Sequence, residues 1–281
     1  MINKELLKRI ELVVFDLDGT LTDDRDDISP RIISLIKKLK SKGVKFSIAT
    51  GRLHSAVIDH AKKIEIDVPL ITLDGTLIKN PVTDEIIFES SVPKKYVKRA
   101  LELADKFFLK IALCNADAIF YTEENSLITS LLEKNGAPFS LVESYNDVLD
   151  NVLEIAISGD YSENIKYVSN KMSFPYTFGI RTSYYRSQSH GGVYYIEIRK
   201  IGSDKGDGLR KLCRHLGIKE KNTAVLGDWY NDKSLFETEA LKIAMANAVT
   251  EIKKSADIVT KKSNNEDGSA EFLKLLLEAK S

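Results

Sequence analysis

Cysteine is nearly missing: the chain has two, Cys114 and Cys213, far apart and each among apolar neighbours. This excludes a disulfide framework and a cysteine-built zinc cluster, and a reducing, cytoplasmic setting is expected. Long apolar runs are missing too. No stretch reaches the roughly 18 residues of a membrane span. Lys4, Glu5, Lys8, Arg9 and Glu11 stand where a signal peptide would need its apolar centre. Neither sign of charge dominates, because 41 lysines and arginines offset 41 aspartates and glutamates. This argues against a dominant attraction to nucleic acid or to an acidic membrane, leaving only a local patch open, and neither is expected as a partner. There is also no G-x-x-x-x-G-K-[ST] loop, no protein-kinase signature set, no internal repeat and no long low-complexity segment.

What is present suits an α/β fold with a sizeable core: 43% of residues are hydrophobic and 29% charged. The 281 residues are nearly twice the roughly 150-residue working size of one domain, so two domains are expected. The apolar run Leu12-Val13-Val14-Phe15 reads as a buried strand of a parallel sheet. A helix follows, with Ser29 as N-cap, Pro30 as first helical residue, a stripe of Ile32, Ile33, Leu35, Ile36 and Leu39, and Gly43 as its stop. A strand at 44–49, a helix over about 53–64 and a strand near 69–73 continue a β-α-β-α-β alternation, which predicts a doubly wound parallel sheet.

The rhythm changes near residue 80. Hairpin-like β segments at 86–90, 110–113 and 118–122 are interleaved with helices near 93–107, 127–135 and 162–172 and with strands at 152–157, 177–181 and 193–198. This mixture reads as α+β. From Lys205 the α/β alternation returns: helix 205–216 ending at Gly217, strand 223–226, helix 232–238, strand 241–245, a short helix, strand 257–260 and helix 269–279. The economical division is a core from residues 1–82 and 196–281, with an inserted domain at 83–195.

Chemistry-bearing residues gather at predicted strand ends. Asp16-Leu17-Asp18-Gly19-Thr20 follows the first strand, at the edge where open α/β sheets bind ligands. Asp and Gly are ordinary turn residues, so alone the segment reads equally as an acidic turn. It does not fit an EF-hand loop, whose glycine comes at position six and follows a helix. Thr50-Gly51-Arg52 follows the second strand, where a hydroxyl and backbone N–H groups at a helix start suit a phosphate oxygen; an N-cap role for Thr50 is the plainer alternative. Lys205 opens a helix against the macrodipole, which gives it either a role near an anion or a place on the solvated surface. Gly227-Asp228-Trp229-Tyr230-Asn231-Asp232 follows another apolar strand, and carboxylates converging there would repel one another unless a cation compensates. All-oxygen ligands favour Mg²⁺ over zinc or copper.

Taken together, the ordered motifs Asp16-Leu17-Asp18-Gly19-Thr20, Thr50-Gly51-Arg52, Lys205-Gly206 and Gly227-Asp228-(two residues)-Asn231-Asp232 resemble the haloacid dehalogenase superfamily, in its Cof-type phosphatase branch with a large inserted cap. Ala244-Met245-Ala246-Asn247-Ala248, the segment 256–260 and Asn265-Glu266-Asp267-Gly268 match as well. The resemblance implies Asp16 as nucleophile and Asp18 as general acid and base. It implies Thr50, Gly51, Lys205 and Asn231 at the phosphate, and Mg²⁺ held by Asp16, Asp18 (through its backbone carbonyl), Asp228 and Asp232. The implied activity is hydrolysis of a small phosphorylated metabolite, with sugar phosphates as the expected substrates, by a monomer or weak homodimer. The alternatives are a phosphotransferase or mutase of the same superfamily, and a catalytically silent phosphosugar-binding protein. Two positions depart from the pattern: Asp74-Gly75 stands where Asn-Gly is common, and Trp229 where a small residue is. In the insertion, Arg181, Arg186, His190 and Tyr194 are candidate substrate contacts, each read more simply as surface or packing.

Overall fold

The computed structural model describes residues 4–116, 118–123, 138–186, 192–202 and 204–281. The chain divides into two compact units, one of residues 1–51, 57–88 and 204–281, the other of residues 52–56 and 89–203. The described strands are β1 (Leu12–Phe15), β2 (Lys45–Ile48), β3 (Leu70–Thr72), β4 (Leu77–Lys79), β5 (Ile86–Glu89), β6 (Lys110–Cys114), β7 (Ile119–Tyr121), β8 (Phe139–Leu141), β9 (Glu154–Gly159), β10 (Ile180–Arg186), β11 (Tyr194–Lys200), β12 (Thr223–Gly227), β13 (Leu241–Ala244) and β14 (Ile258–Val259).

The first unit is built on a parallel sheet of order β14-β13-β12-β1-β2. Its central strand is continuously apolar because both of its faces are covered. Val13 and Phe15 face the helices Pro30–Lys40 and Gly268–Ala279, through Ile32, Ile36, Leu39, Phe272 and Leu276. Leu12 and Val14 face Leu209, Leu212 and Cys213 of the helix Lys205–Leu216. The rings of Phe15 and Phe46 stack at 6.1 Å. Burying each such side chain contributes about 1.5–3 kcal/mol. The Ser29 cap forms as expected, its Oγ accepting from Ile32 N–H at 3.3 Å ahead of Pro30.

The third strand keeps the expected parallel direction beside β2, but only through a single parallel bridge, Ala49 to Ile71; it then turns back through β4, antiparallel to it, to give a small sheet of order β3-β4-β5. The helix expected over 53–64 is confined to Ile58–Lys63. The cause is a contact distant in sequence: Thr50 N–H donates to Ile71 O and Thr50 O accepts from Asp74 N–H, both at 2.9 Å. Residues past β2 therefore stay tied to the β3 loop instead of coiling. The expected helix 232–238 is a 3₁₀ turn, Tyr230–Asp232, followed by one α turn, Lys233–Phe236.

The second unit holds a mostly antiparallel sheet of order β10-β11-β9-β6-β7-β8, in which only β7 and β8 run parallel. Alternation along its strands turns Ile111, Leu113, Ile155, Ile157, Ile196 and Ile198 toward the helices Lys94–Lys106 and Ser162–Lys171. Glu154, Glu197 and Arg199, on the alternate positions, are buried as an ion-paired group, and Tyr185 donates to Glu197 at 2.7 Å. The strand expected at 177–181 begins at Ile180. Residues 83–88 group with the first unit because β5 pairs with β4, and 196–203 with the second because β11 runs to Lys200; the sequence-drawn limits at 83 and 195 stop short of these pairings.

Candidate active site

Strand order makes the site. β1 has β2 on one side and β12 on the other, so the winding order reverses between β1 and β12, the place beyond whose carboxyl ends open α/β sheets bind their ligands. Asp16 leaves β1 with its N–H donated to Leu226 O at 2.9 Å, and Ala49 N–H donates to Phe15 O at 2.7 Å. Asp16, Thr50 and Asp228 thus end three adjacent strands. All three are buried, at 4%, 1% and 7% exposure.

Lys205 is not the surface lysine that its position permitted. It is fully buried, with Nζ 2.6 Å from Asp16 Oδ1 and 2.6 Å from Asp232 Oδ1. Asp204 caps its helix by accepting from Asp207 N–H at 2.8 Å. Burial alone would strip the proton from Lys205, but the charges of Asp16, Asp232 and Asp74 outweigh it and hold the ammonium protonated. Asp232 is fully engaged: its other oxygen accepts from Asp228 N–H at 2.9 Å and Trp229 N–H at 3.1 Å. It shapes the loop as much as it charges it.

Asp16, Asp228 and Asp232 can each offer a carboxylate oxygen within 4.8 Å of the others. One ammonium does not balance three carboxylates. Burial, then Asp232 and Asp228, push the Asp16 carboxyl well above its usual range against the pull of Lys205. Burial and Asp232 push Asp228 up to about 6, opposed by the Thr20 hydroxyl. Such a cluster fits a hard divalent cation, which would relieve the repulsion.

The turn after Asp16 is shaped around Asp228. Gly19 takes a left-handed φ of 76°, and a Cβ there would lie 2.5 Å from Asp228 Oδ2, so only glycine allows the approach. Thr20 Oγ1 donates to Asp228 Oδ1 at 3.1 Å, and Asn247 Nδ2 donates to Gly19 O at 2.8 Å and Asp228 Oδ2 at 3.3 Å. The sequence reading gave no role to Thr20 or Asn247, although both lie in quoted motifs; the usable signal was an amide just past a predicted strand. Asp18 is exposed and its carboxylate lies outside the three-acid cluster.

At Thr50 and Gly51 no helix begins, so the expected dipole contribution of a helix opening there is missing; the next helix along the chain starts at Ile58. Asn231 Nδ2 donates to Asp74 Oδ1 at 3.1 Å. Trp229 is half-exposed and meets Tyr230 edge-on at 5.3 Å. In the second unit, Arg181 and Arg186 lie on β10, and the Arg186 guanidinium stands 5.8 Å from the Tyr194 ring. His190, Gly191, Ser203 and the helix expected at 127–135 lie outside the described residues.

The sequence model of the haloacid dehalogenase-like hydrolases matches residues 13–273. The chain belongs to the haloacid dehalogenase-like hydrolases. It stands among that superfamily's phosphatases, in the Cof-type branch. It is 26% identical over 266 residues to 5-amino-6-(5-phospho-D-ribitylamino)uracil phosphatase YitU of Bacillus subtilis, covering 94% of this chain and 96% of that one. The fold resembles a solved haloacid dehalogenase-like hydrolase from Bacteroides thetaiotaomicron, with a TM-score of 0.84, 26% identity and coverage of 94% and 98% of the two chains. It also resembles a solved subclass IIB sugar phosphatase of the superfamily, with a TM-score of 0.73, 25% identity and coverage of 94% and 98%. Among the described residues no helix is long and apolar enough to cross a membrane.

Proposed function

We propose that this haloacid dehalogenase-like hydrolase is a Mg²⁺-dependent phosphatase of small phosphomonoesters, sugar or sugar-alcohol phosphates foremost, acting through an aspartyl-phosphate on Asp16. The observation that carries the reading is the buried Asp16–Lys205–Asp232 group beside Asp228 at the sheet's switch point. The phosphoribityl substrate in the name of the Bacillus relative and the sugar phosphatase among the solved structures support the substrate class.

Asp16, Asp228 and the Asp18 backbone carbonyl, supported by Asp232, would hold Mg²⁺, which when bound neutralises charge on the phosphoryl oxygens. The Asp16 carboxylate attacks phosphorus, and the ester oxygen leaves with a proton donated by Asp18. Asp18 then takes a proton from water as that water attacks the aspartyl-phosphate, releasing inorganic phosphate and freeing Asp16. Lys205 serves in both halves: its ammonium offsets negative charge on the transferring group without gaining or losing a proton. The hydroxyl and backbone of Thr50 and Gly51, with Asn231, orient the phosphoryl oxygens. The second unit is read as the cap of the family pattern.

The test is phosphate release from p-nitrophenyl phosphate and from a panel of phosphosugars, with Mg²⁺ and with EDTA. Mg²⁺-dependent turnover that Asp16→Asn abolishes supports the reading. Phosphate binding without turnover would favour the silent sensor, and transfer to an added sugar in preference to water would favour the phosphotransferase.

A further inference from the structure

We propose that Asp74 is a positioning residue of the phosphoryl site: it sets the direction of the Asn231 amide and locks the loop after β2 to the loop after β12. The proposal rests on the phosphatase reading given above. It starts from the backbone. Leu73, Asp74 and Gly75 have successive φ values of 48°, 49° and 90°; the Leu73 side chain disfavours this region, whereas Asp enters it more readily and Gly freely. Strain of this kind persists only where the surroundings over-determine it, and it concentrates at functional sites.

The surroundings do so here. Asp74 N–H donates to Thr50 O at 2.9 Å, and Thr76 N–H donates to Leu73 O at 3.1 Å. A Cβ on Gly75 would lie 2.1 Å from the Asp204 carbonyl oxygen, so the turn sits directly against the backbone that opens the Lys205 helix. The side chain reaches the remaining loop, with Asp74 Oδ1 accepting from Asn231 Nδ2 at 3.1 Å. A Cβ on Gly51 would lie 3.3 Å from that same oxygen. One residue therefore touches the Thr50–Gly51 loop by backbone and by proximity, and the Asn231 loop by its carboxylate. An ionised carboxylate only accepts, so it takes one N–H of the Asn231 NH₂ group and fixes the direction of the second, which is the donor a phosphoryl oxygen would take. Its charge also adds to those of Asp16 and Asp232 in keeping Lys205 protonated.

The experiment uses Asp74→Gly, because glycine accepts the left-handed backbone and spares the fold, alongside Asp74→Asn, Asn231→Ala and the Asp74→Gly, Asn231→Ala double variant. Turnover of p-nitrophenyl phosphate and inhibition by inorganic phosphate are measured with Mg²⁺ present. Loss of one orienting hydrogen bond should raise KM and the phosphate inhibition constant of Asp74→Gly about five- to tenfold, with kcat falling less. Asp74→Asn keeps an accepting oxygen and should restore both constants to within about threefold. Asn231→Ala should add little in the Asp74→Gly background. Equal losses in the Gly and Asn variants, or additive losses in the double variant, would overturn the proposal. A second arm needs no activity. The side-chain amide resonances of Asn231, assigned by their disappearance in Asn231→Ala, should move in Asp74→Gly and stay near their places in Asp74→Asn. Unmoved resonances in Asp74→Gly would overturn the proposal even in an active enzyme. Absence of phosphate release by the wild-type protein would instead strike the phosphatase reading, and the resonances would still decide whether Asp74 holds Asn231.

Discussion

Removing the charge of Asp228 should stabilise the protein without metal while weakening its response to metal. Asp228 is 7% exposed and its carboxyl is pushed from 3.8 up to about 6, first by burial and then by Asp232. Between those two values the folded protein binds more protons at this site than the unfolded chain does. This group's effect on stability therefore falls as pH rises through the window, and above about 6 it is a full penalty. Two pH units at 1.36 kcal/mol each give about 3 kcal/mol. Asp228→Asn removes that penalty but can accept from only one of Thr20 Oγ1 and Asn247 Nδ2, which returns about 1 kcal/mol. The net gain at pH 8 is about 2 kcal/mol, or roughly 4–8 °C in Tm for a chain of this size. The assay is thermal unfolding in EDTA at pH 8 and pH 5, then with millimolar Mg²⁺. The variant should melt higher than wild type at pH 8 and close to it at pH 5, and it should gain much less from Mg²⁺, because the linkage between binding and stability is lost. A natively folded variant that melts lower in EDTA, or that gains as much as wild type from Mg²⁺, would refute the electrostatic account of the cluster.

Lys205→Met leaves Asp16 and Asp232 facing each other in a buried site, and should cost about 3–5 kcal/mol at pH 8, with less loss at pH 5, nearer the raised range of the Asp16 carboxyl; unfolding midpoints in urea at the two pH values check this. Asp16→Asn should abolish turnover, and Asp18→Asn should slow it by about 10²–10⁴-fold, read from steady-state phosphate release. Only proteins that keep Asp16 should show the mass of a phosphoryl adduct on rapid acid quenching. Gly19→Ala sets a Cβ 2.5 Å from Asp228 Oδ2 at a φ of 76°. It should cost about 1–2 kcal/mol and displace Asp228, seen as a lower Tm together with a smaller Mg²⁺-induced rise.

What could be read from the sequence divides along a physical line. Burial on both faces writes itself as a continuous apolar run, so Leu12–Phe15 was legible, as was the helix bounded by Ser29 and Gly43, because capping is a matter of adjacent residues. The residues after β2 were not legible as non-helical. Their fate depends on Ile71 and Asp74, some twenty residues on, whose backbone groups claim Thr50. The small β3-β4-β5 sheet was obscured for the same reason, since pairing partners are not encoded by a strand's own pattern. At the site, motif spacing indicated which acids would lie at strand ends, but not how they share partners. A lysine at a helix start reads as surface until the topology brings β1 and the loop after β12 to it; then burial makes its two carboxylates obligatory. Asn247 and Asp74 were hard to place because each acts through a neighbour, Asn247 on Asp228 and Asp74 on Asn231. Side chains that touch a ligand must be of few chemical types at fixed offsets, which leaves a motif. Side chains that hold those residues in place need only reach them, and many sequence positions meet that condition; which one does so is decided by the folded backbone.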